Sequence, residues 1–148
     1  MAKNTKTTKQ KKSKVPIWVW IAGVVVVALV VILVVSNPGA NSQSLPSEVS
    51  VKEAQTLVDN GAFLLDVREQ SEWVAGHVQG ATLIPLGDLS GRLSELPQDT
   101  PIVVMCRTGH RSAQGRDILL QAGFTQVTSM SGGINEWIAE GNPVVTGN

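Results

Sequence analysis

The chain has few of the side chains that build metal and disulfide sites. Its 148 residues include one cysteine and two histidines. A lone cysteine excludes a disulfide within the chain and a zinc site built from several cysteines, and two histidines without paired spacing argue against a histidine-based metal site. We therefore expect neither a metal nor a cofactor. Any chemistry at Cys106 must use that one thiol.

Acidic residues are absent from the first part of the chain, and the formal net charge of zero hides this asymmetry. Residues 1–14 contain six lysines and no acidic residue, whereas residues 41–148 contain six basic and twelve acidic side chains. The overall neutrality therefore describes neither part. The two parts must be interpreted separately.

No charged residue occurs between positions 15 and 35. This segment has 21 residues, ten of them valine, and a helix of that length spans about 31 Å, close to the hydrocarbon thickness of a bilayer. A chain in lipid must satisfy its own backbone hydrogen bonds, so a helix is favoured over the strand that valine prefers in water. The sequence predicts a transmembrane helix over residues 15–35, in contact with membrane lipid.

The charges beside this segment predict its orientation. After the basic tail of residues 1–14, the next basic residue is Lys52. By the positive-inside rule the tail is cytoplasmic, so we expect a single-pass protein of the cell membrane whose main domain is extracytoplasmic. The lysines then act as an orientation signal, and no nucleic-acid partner is expected. A cleaved signal peptide is the alternative, but this apolar run is longer than the usual 15 or so residues and Pro38-Gly39-Ala40 is a poor cleavage site.

Residues 36–46 are small, polar and interrupted by two prolines, which is typical of a linker. The domain of residues 47–148 follows, beginning with a capping box at Ser50-Val51-Lys52-Glu53 that opens a helix ending at Gly61. Further helices are predicted at 113–121 and about 134–139, and strands at 62–65, 81–84, 102–105 and near 127. This alternation predicts an α/β fold with a parallel sheet covered by helices on both faces.

The segment after the predicted strand 102–105 carries the chemistry, since ligands bind beyond the carboxyl ends of parallel strands. It reads Cys106-Arg107-Thr108-Gly109-His110-Arg111-Ser112. A thiol at a strand end, followed by a glycine turn and the start of a helix, faces backbone N–H groups and the positive end of the helix dipole. Arg107 and Arg111 add positive charge. We therefore expect the pKa of Cys106 to lie below the usual value of about 8.5, which makes the sulfur a nucleophile.

Cys106 has a second interpretation as a small buried apolar side chain. Such a residue would need neither the two arginines nor Gly109, and guanidinium groups buried beside it without an anion would be costly. We therefore favour the nucleophile.

Several motifs in order along the chain resemble the rhodanese family of sulfurtransferases. The resemblance covers about residues 47–148. Its motifs are Leu65-Asp66-Val67-Arg68, Glu72-Trp73, Gly76-His77-Val78, Gly80-Ala81, Ile84-Pro85, the segment Cys106–Ser112, Gly132-Gly133, Trp137 and Pro143-Val144. Together they are more specific than the cysteine segment alone.

The resemblance implies that the protein is a sulfurtransferase with a persulfide mechanism. The Cys106 thiolate would take a sulfane sulfur from a small anion such as thiosulfate and pass it to cyanide or a thiol. The binding loop would be Arg107, Thr108, Gly109, His110, Arg111 and Ser112, whose amides hold the outer sulfur and whose arginines attract the donor. Gly109 would permit the turn, and Ser112 would cap the following helix.

Asp66 and Arg68 also fit the pattern of the family, as residues that support the loop. The alternative for this pair is an ion pair that ties the strand to its neighbours. We favour that alternative over a direct catalytic role.

Two other functions stay open. One is a module at the membrane that carries or senses sulfane sulfur without turnover. The other is a cysteine-dependent phosphatase, a class whose related loop has five residues between cysteine and arginine. Only four residues separate Cys106 from Arg111, so the loop is narrowed toward a single sulfur atom, and sulfur transfer is favoured.

Overall fold

The structure is a computed structural model that describes residues 44–147. The predicted tail 1–14, the predicted transmembrane helix 15–35 and most of the linker 36–46 lie outside the described residues. Within residues 44–147, no helix has the length and apolar character needed to cross a bilayer.

A parallel sheet organises this part of the chain, as the sequence predicts. Its five strands lie in the order β1-β5-β4-β2-β3, and all neighbouring pairs run parallel. The strands are β1 (Glu48–Val49), β2 (Phe63–Asp66), β3 (Thr82–Leu83), β4 (Ile102–Met105) and β5 (Val127–Met130). All four residues of the central strand β4 are buried, which requires cover on both faces of the sheet.

Helices follow the strands in alternation. They are α1 (Val51–Asp59), α2 (Gln70–Ala75), α3 (His110–Gln121) and α4 (Gly133–Ala139), with two short 3₁₀ turns at Leu89–Gly91 and Leu93–Glu95. The predicted capping box opens α1: the Glu53 N–H donates to the Ser50 hydroxyl, and the Ser50 N–H donates to the Glu53 carboxylate. Local sequence therefore specifies the start of this helix.

The side chains of β4 alternate between two apolar clusters. Ile102 and Val104 belong to a cluster with Leu119 of α3, whereas Val103 and Met105 belong to another with Ala54 of α1 and residues of α4. Successive side chains of a strand point to opposite faces of the sheet, so α3 covers one face while α1 and α4 cover the other. The predicted two-sided cover is confirmed.

The chain forms three elements differently from the sequence prediction. Helix α3 begins at His110, three residues before the predicted start at Ala113. Strand β1 was not predicted, because its two residues are defined by their pairing with β5. Helix α2 was not predicted either, since it has six residues and none of them is buried.

Candidate active site

Cys106 lies at the carboxyl end of β4, where the chain turns toward α3. The residue is only 1% exposed, and its thiol is free. Gly109 has a φ of 104° and is the N-cap of α3, so the chain passes from strand to helix through four residues, Cys106–Gly109. The Gly109 N–H donates to the Cys106 Sγ at 3.1 Å. The positive φ favours glycine at this position, and the turn places the sulfur at the N-terminal end of a twelve-residue helix.

Two opposing effects act on the pKa of the Cys106 thiol. Burial raises it, because a thiolate loses its hydration inside the protein. Hydrogen bonds from the Ser112 N–H, the Ser112 hydroxyl and the N–H groups of Thr108 and Gly109 favour the thiolate and outweigh burial. The pKa of Cys106 therefore lies below its ordinary value, as the sequence predicts, and the main-chain amides and Ser112 are the cause.

Ser112 hydrogen-bonds to the Cys106 sulfur and is not the N-cap of α3, which corrects the sequence prediction. Gly109 holds the N-cap position, so Ser112 lies inside the first turn of the helix. Its buried hydroxyl oxygen lies 3.7 Å from the Cys106 Sγ and 2.7 Å from the Gly109 carbonyl oxygen, so its proton can be donated to either acceptor. Ser112 thus links the sulfur to the turn that holds it.

The two arginines of the loop have different surroundings. Arg107 is exposed and makes no ion pair within residues 44–147. Arg111 is half-buried, and its two terminal nitrogens donate to the carboxylate of Glu72 on α2 at 2.7 and 2.8 Å. The sequence predicts that both arginines attract an anionic donor, and the structure adds that the charge of Arg111 is paired with Glu72.

The remaining polar side chains of the predicted loop, Thr108 and His110, are exposed to solvent. They form the outer rim of the loop, whereas Gly109 and Ser112 are buried beside the sulfur. No group of three or more His, Cys, Asp or Glu residues that could hold a metal ion occurs in the described part of the chain.

Asp66 and Arg68 form an ion pair at the end of β2. Both are buried, and the Arg68 Nη2 lies 2.6 Å from the Asp66 Oδ2. Arg68 also donates to the carbonyls of Glu72 at 3.3 Å and Gly76 at 2.9 Å. These contacts fasten α2 to the end of β2 and include none to Cys106, so they support the structural interpretation of the pair.

The first turn of α4 holds the backbone of the cysteine loop from the other side. The N–H groups of Ile134 and Asn135 donate to the carbonyls of Cys106 at 2.8 Å and Arg107 at 3.2 Å. Helix α4 can approach the cysteine loop this closely because Gly133 has no side chain. A Cβ at Gly133 would collide with the Cys106 carbonyl oxygen and lie 2.6 Å from the carbonyl carbon of Arg107.

An open cavity of about 270 Å³ lies beside the loop, between α2 and α4. Arg107 lines one part of it, and Ile138 and Val144 supply apolar surface. The site residue that sequence analysis did not include is Glu72, although its motif was recognised. No local pattern could assign it, because its partner Arg111 is 39 residues away.

Comparison with known proteins identifies the family. The model of the rhodanese-like domain matches residues 50–140, and the chain belongs to this family. The resemblance stated from the sequence motifs is thereby confirmed.

The relatives of this chain include proteins named as sulfurtransferases. It is 36% identical over 93 residues to a sulfurtransferase of Allochromatium vinosum, a match that covers 62% of this chain and 87% of that protein. It is 31% identical over 86 residues to the thiosulfate sulfurtransferase GlpE of Pseudomonas fluorescens, covering 58% of this chain and 79% of the relative. These matches support a sulfurtransferase function.

The fold comparison agrees. The crystal structure of a rhodanese-related protein from Thermoplasma volcanium has a TM-score of 0.63 and 31% identity, over 68% of this chain and 98% of that one. Some relatives are much longer. The chain spans about a quarter (26%) of the length of the probable adenylyltransferase/sulfurtransferase MoeZ of Mycobacterium tuberculosis, to which it is 38% identical over 101 residues.

Proposed function

We propose that this protein is a membrane-anchored sulfurtransferase that moves a sulfane sulfur through a persulfide on Cys106. One observation carries the proposal: the sulfur lies inside a loop whose hydrogen bonds lower its pKa despite its burial. A sulfur that is only buried would have a raised pKa and react poorly. The sulfurtransferases among the relatives support the same class of reaction.

The proposed reaction has two displacements. The Cys106 thiolate attacks the outer sulfur of thiosulfate, a sulfur–sulfur bond forms, the bond of that sulfur to the sulfonate breaks, and sulfite leaves with the electron pair. Cyanide or a thiolate then attacks the outer sulfur of the Cys106 persulfide. Thiocyanate or a new persulfide leaves, and the thiolate is restored.

The loop lowers the barrier of both steps by holding negative charge at the sulfur. N–H groups fixed in the turn need no rearrangement when the charge moves from Cys106 to the outer sulfur. Arg107, exposed and without an ion pair in the described residues, supplies positive charge for the incoming anion. In this proposal Thr108 and His110 border the entrance, and Asp66 and Arg68 fix α2 behind it.

The proposal includes the anchor predicted over residues 15–35 and places the catalytic domain outside the cytoplasm. The support for it is the uncharged apolar run and the lysines on its amino-terminal side. The space outside the cytoplasm is oxidising. The chain has no second cysteine whose thiol could reduce an oxidised Cys106. A resting persulfide or the thiol of a partner would therefore keep Cys106 available.

The test uses the full chain purified in detergent. After incubation with thiosulfate, intact-mass analysis is expected to show a gain of about 32 Da, one sulfur atom on Cys106. Addition of cyanide should release thiocyanate over many turnovers, and Cys106→Ser should abolish both signals. A wild-type chain that gains no mass refutes the proposal, whereas a stable adduct without turnover identifies a sulfur-carrying module.

Topology needs a separate measurement. A reporter that is active only in the cytoplasm, fused after Asn148, is expected to stay inactive. Cytoplasmic activity of that reporter would refute the extracytoplasmic placement and leave the chemistry unaffected.

A further inference from the structure

The arginines of the described residues are almost all neutralised. Four of the five pair with a carboxylate, and only Arg107, directly after the nucleophile, does not. The pairs are Arg68–Asp66, Arg92–Glu95, Arg111–Glu72 and Arg116–Asp117. The loop from Arg107 to Ser112 contains two arginines, but only one of them brings an unpaired guanidinium to the entrance of the site.

Glu72 is well placed to hold the second one. Its two carboxylate oxygens accept from the two terminal nitrogens of Arg111 at 2.7 and 2.8 Å. The Glu69 N–H donates to the same carboxylate at 3.1 Å, which fixes it in the first turn of α2. The hydrogen bond from Arg111 lowers the pKa of Glu72 to about 2, so Glu72 is ionised at any physiological pH.

The charge of Arg111 acts on two partners. The hydrogen bond to Glu72 is the main cause of the raised pKa of Arg111, and the negative charge of Cys106 adds to it. Neutralising Arg111 therefore weakens the positive potential near the sulfur. The effect on an incoming donor is proportional to the charge of that donor.

We propose that Glu72 is a specificity-determining residue that, by neutralising Arg111, biases the site toward sulfur donors with a single negative charge and against dianions. The inference rests on the proposed sulfurtransferase function and deepens it by naming the charge class of the donor. Glu72 does not touch the sulfur in this scheme. It acts through the net charge at the entrance.

Two donors that differ mainly in charge provide the test. Thiosulfate carries two negative charges, and methanethiosulfonate carries one. Both deliver a sulfane sulfur to the Cys106 thiolate, with sulfite or methanesulfinate as the leaving group. Removing the charge of Glu72 adds one positive charge at the entrance, so the change in log rate should be twice as large for thiosulfate as for methanethiosulfonate.

The experiment compares the full wild-type chain with Glu72→Gln. Release of sulfite and of methanesulfinate in the first half-reaction gives kcat/KM for each donor at low salt. We expect a rise of about tenfold for thiosulfate and about threefold for methanethiosulfonate. The glutamine amide still offers an oxygen to the Glu69 N–H, so α2 should remain intact, as circular dichroism would show.

Glu95→Gln is the matched control. It removes a carboxylate that also holds an arginine through two hydrogen bonds, both 2.7 Å long. That pair is not at the cysteine loop, so the donor preference should stay at its wild-type value. The double variant Glu72→Gln/Arg111→Gln restores a neutral pair and should return the preference toward wild type.

A second readout is independent of sulfur transfer. Iodoacetate and iodoacetamide alkylate the same thiolate but differ by one negative charge. The rate with iodoacetate divided by the rate with iodoacetamide therefore reports the electrostatic potential at Cys106. Glu72→Gln should raise this ratio about threefold, and Glu95→Gln should not. An equal change for both reagents or both donors, or a fall for thiosulfate, shows that Glu72 only positions the loop and overturns the inference. A wild-type chain that accepts sulfur from neither donor refutes the proposed function instead, while the alkylation ratio still decides the role of Glu72.

Discussion

The close approach of α4 to the cysteine loop leads to a prediction about Gly133→Ala. Gly133 has a φ of 58°, which costs an alanine about 1–2 kcal/mol relative to glycine. The new Cβ would lie 2.6 Å from the carbonyl carbon of Arg107, where carbon atoms prefer about 3.5–4.0 Å. Relief of this overlap must move α4 away from the loop and weaken the hydrogen bonds of Ile134 and Asn135 at 2.8 and 3.2 Å.

Each of these two hydrogen bonds contributes about 1 kcal/mol. Gly133→Ala is therefore expected to lower the free energy of unfolding by about 3–4 kcal/mol in total. Urea denaturation followed by tryptophan fluorescence measures the change, provided that the slope with denaturant stays the same. Cys106 should also lose reactivity in the protein that remains folded, because its loop is displaced.

Gly141→Ala is the control for the backbone term. Gly141 follows the same helix with a φ of 83°, and a Cβ there would have nothing within 4 Å. Its substitution should cost only about 1–2 kcal/mol and leave Cys106 reactive. If Gly133→Ala costs no more than Gly141→Ala, the proposed steric contact between α4 and the cysteine loop is refuted.

Three further predictions follow from contacts at the site. Ser112→Ala removes a hydroxyl that stabilises the thiolate, so the pKa of Cys106 should rise, and the pH profile of alkylation should shift to higher pH. Asp66→Asn leaves the buried guanidinium of Arg68 without its anion and should cost about 3–5 kcal/mol in urea denaturation. The pKa of Glu72 falls from 4.5 to about 2 on folding. Its stabilising effect is therefore present above about pH 4.5 and lost as the pH drops toward 2, an acid dependence that Glu72→Gln should reduce.

The elements that sequence analysis could predict are those with strong local signals. The capping box at Ser50 and Glu53 specifies the start of α1 through bonds between residues three apart. The apolar runs of β2 and β4 are buried on both faces, which a parallel sheet requires. The thiol at the end of β4 then follows from the general position of ligand sites in such sheets.

The parts that escaped prediction depend on contacts between distant residues. Helix α2 has no buried residue, and its six residues are too few to show a helical period. It is held instead by Arg68, which follows β2, and by Arg111 from α3. The ion pair of Arg111 was not predicted for the same reason, since its partner Glu72 approaches only when the sheet has brought α2 and α3 together.

The structure separates two tasks that the sequence assigned to the same arginines. The low pKa of Cys106 comes from amides and a hydroxyl that are fixed by the turn at Gly109, and buried groups of this kind are little affected by salt. In the proposed function, attraction of the donor falls to Arg107 at the surface, where salt does screen charge. The nucleophile is therefore a property of the strand–turn–helix geometry. In the proposed scheme the choice of donor depends on the few charges around the sulfur, and Glu72→Gln is expected to change that choice without rebuilding the loop.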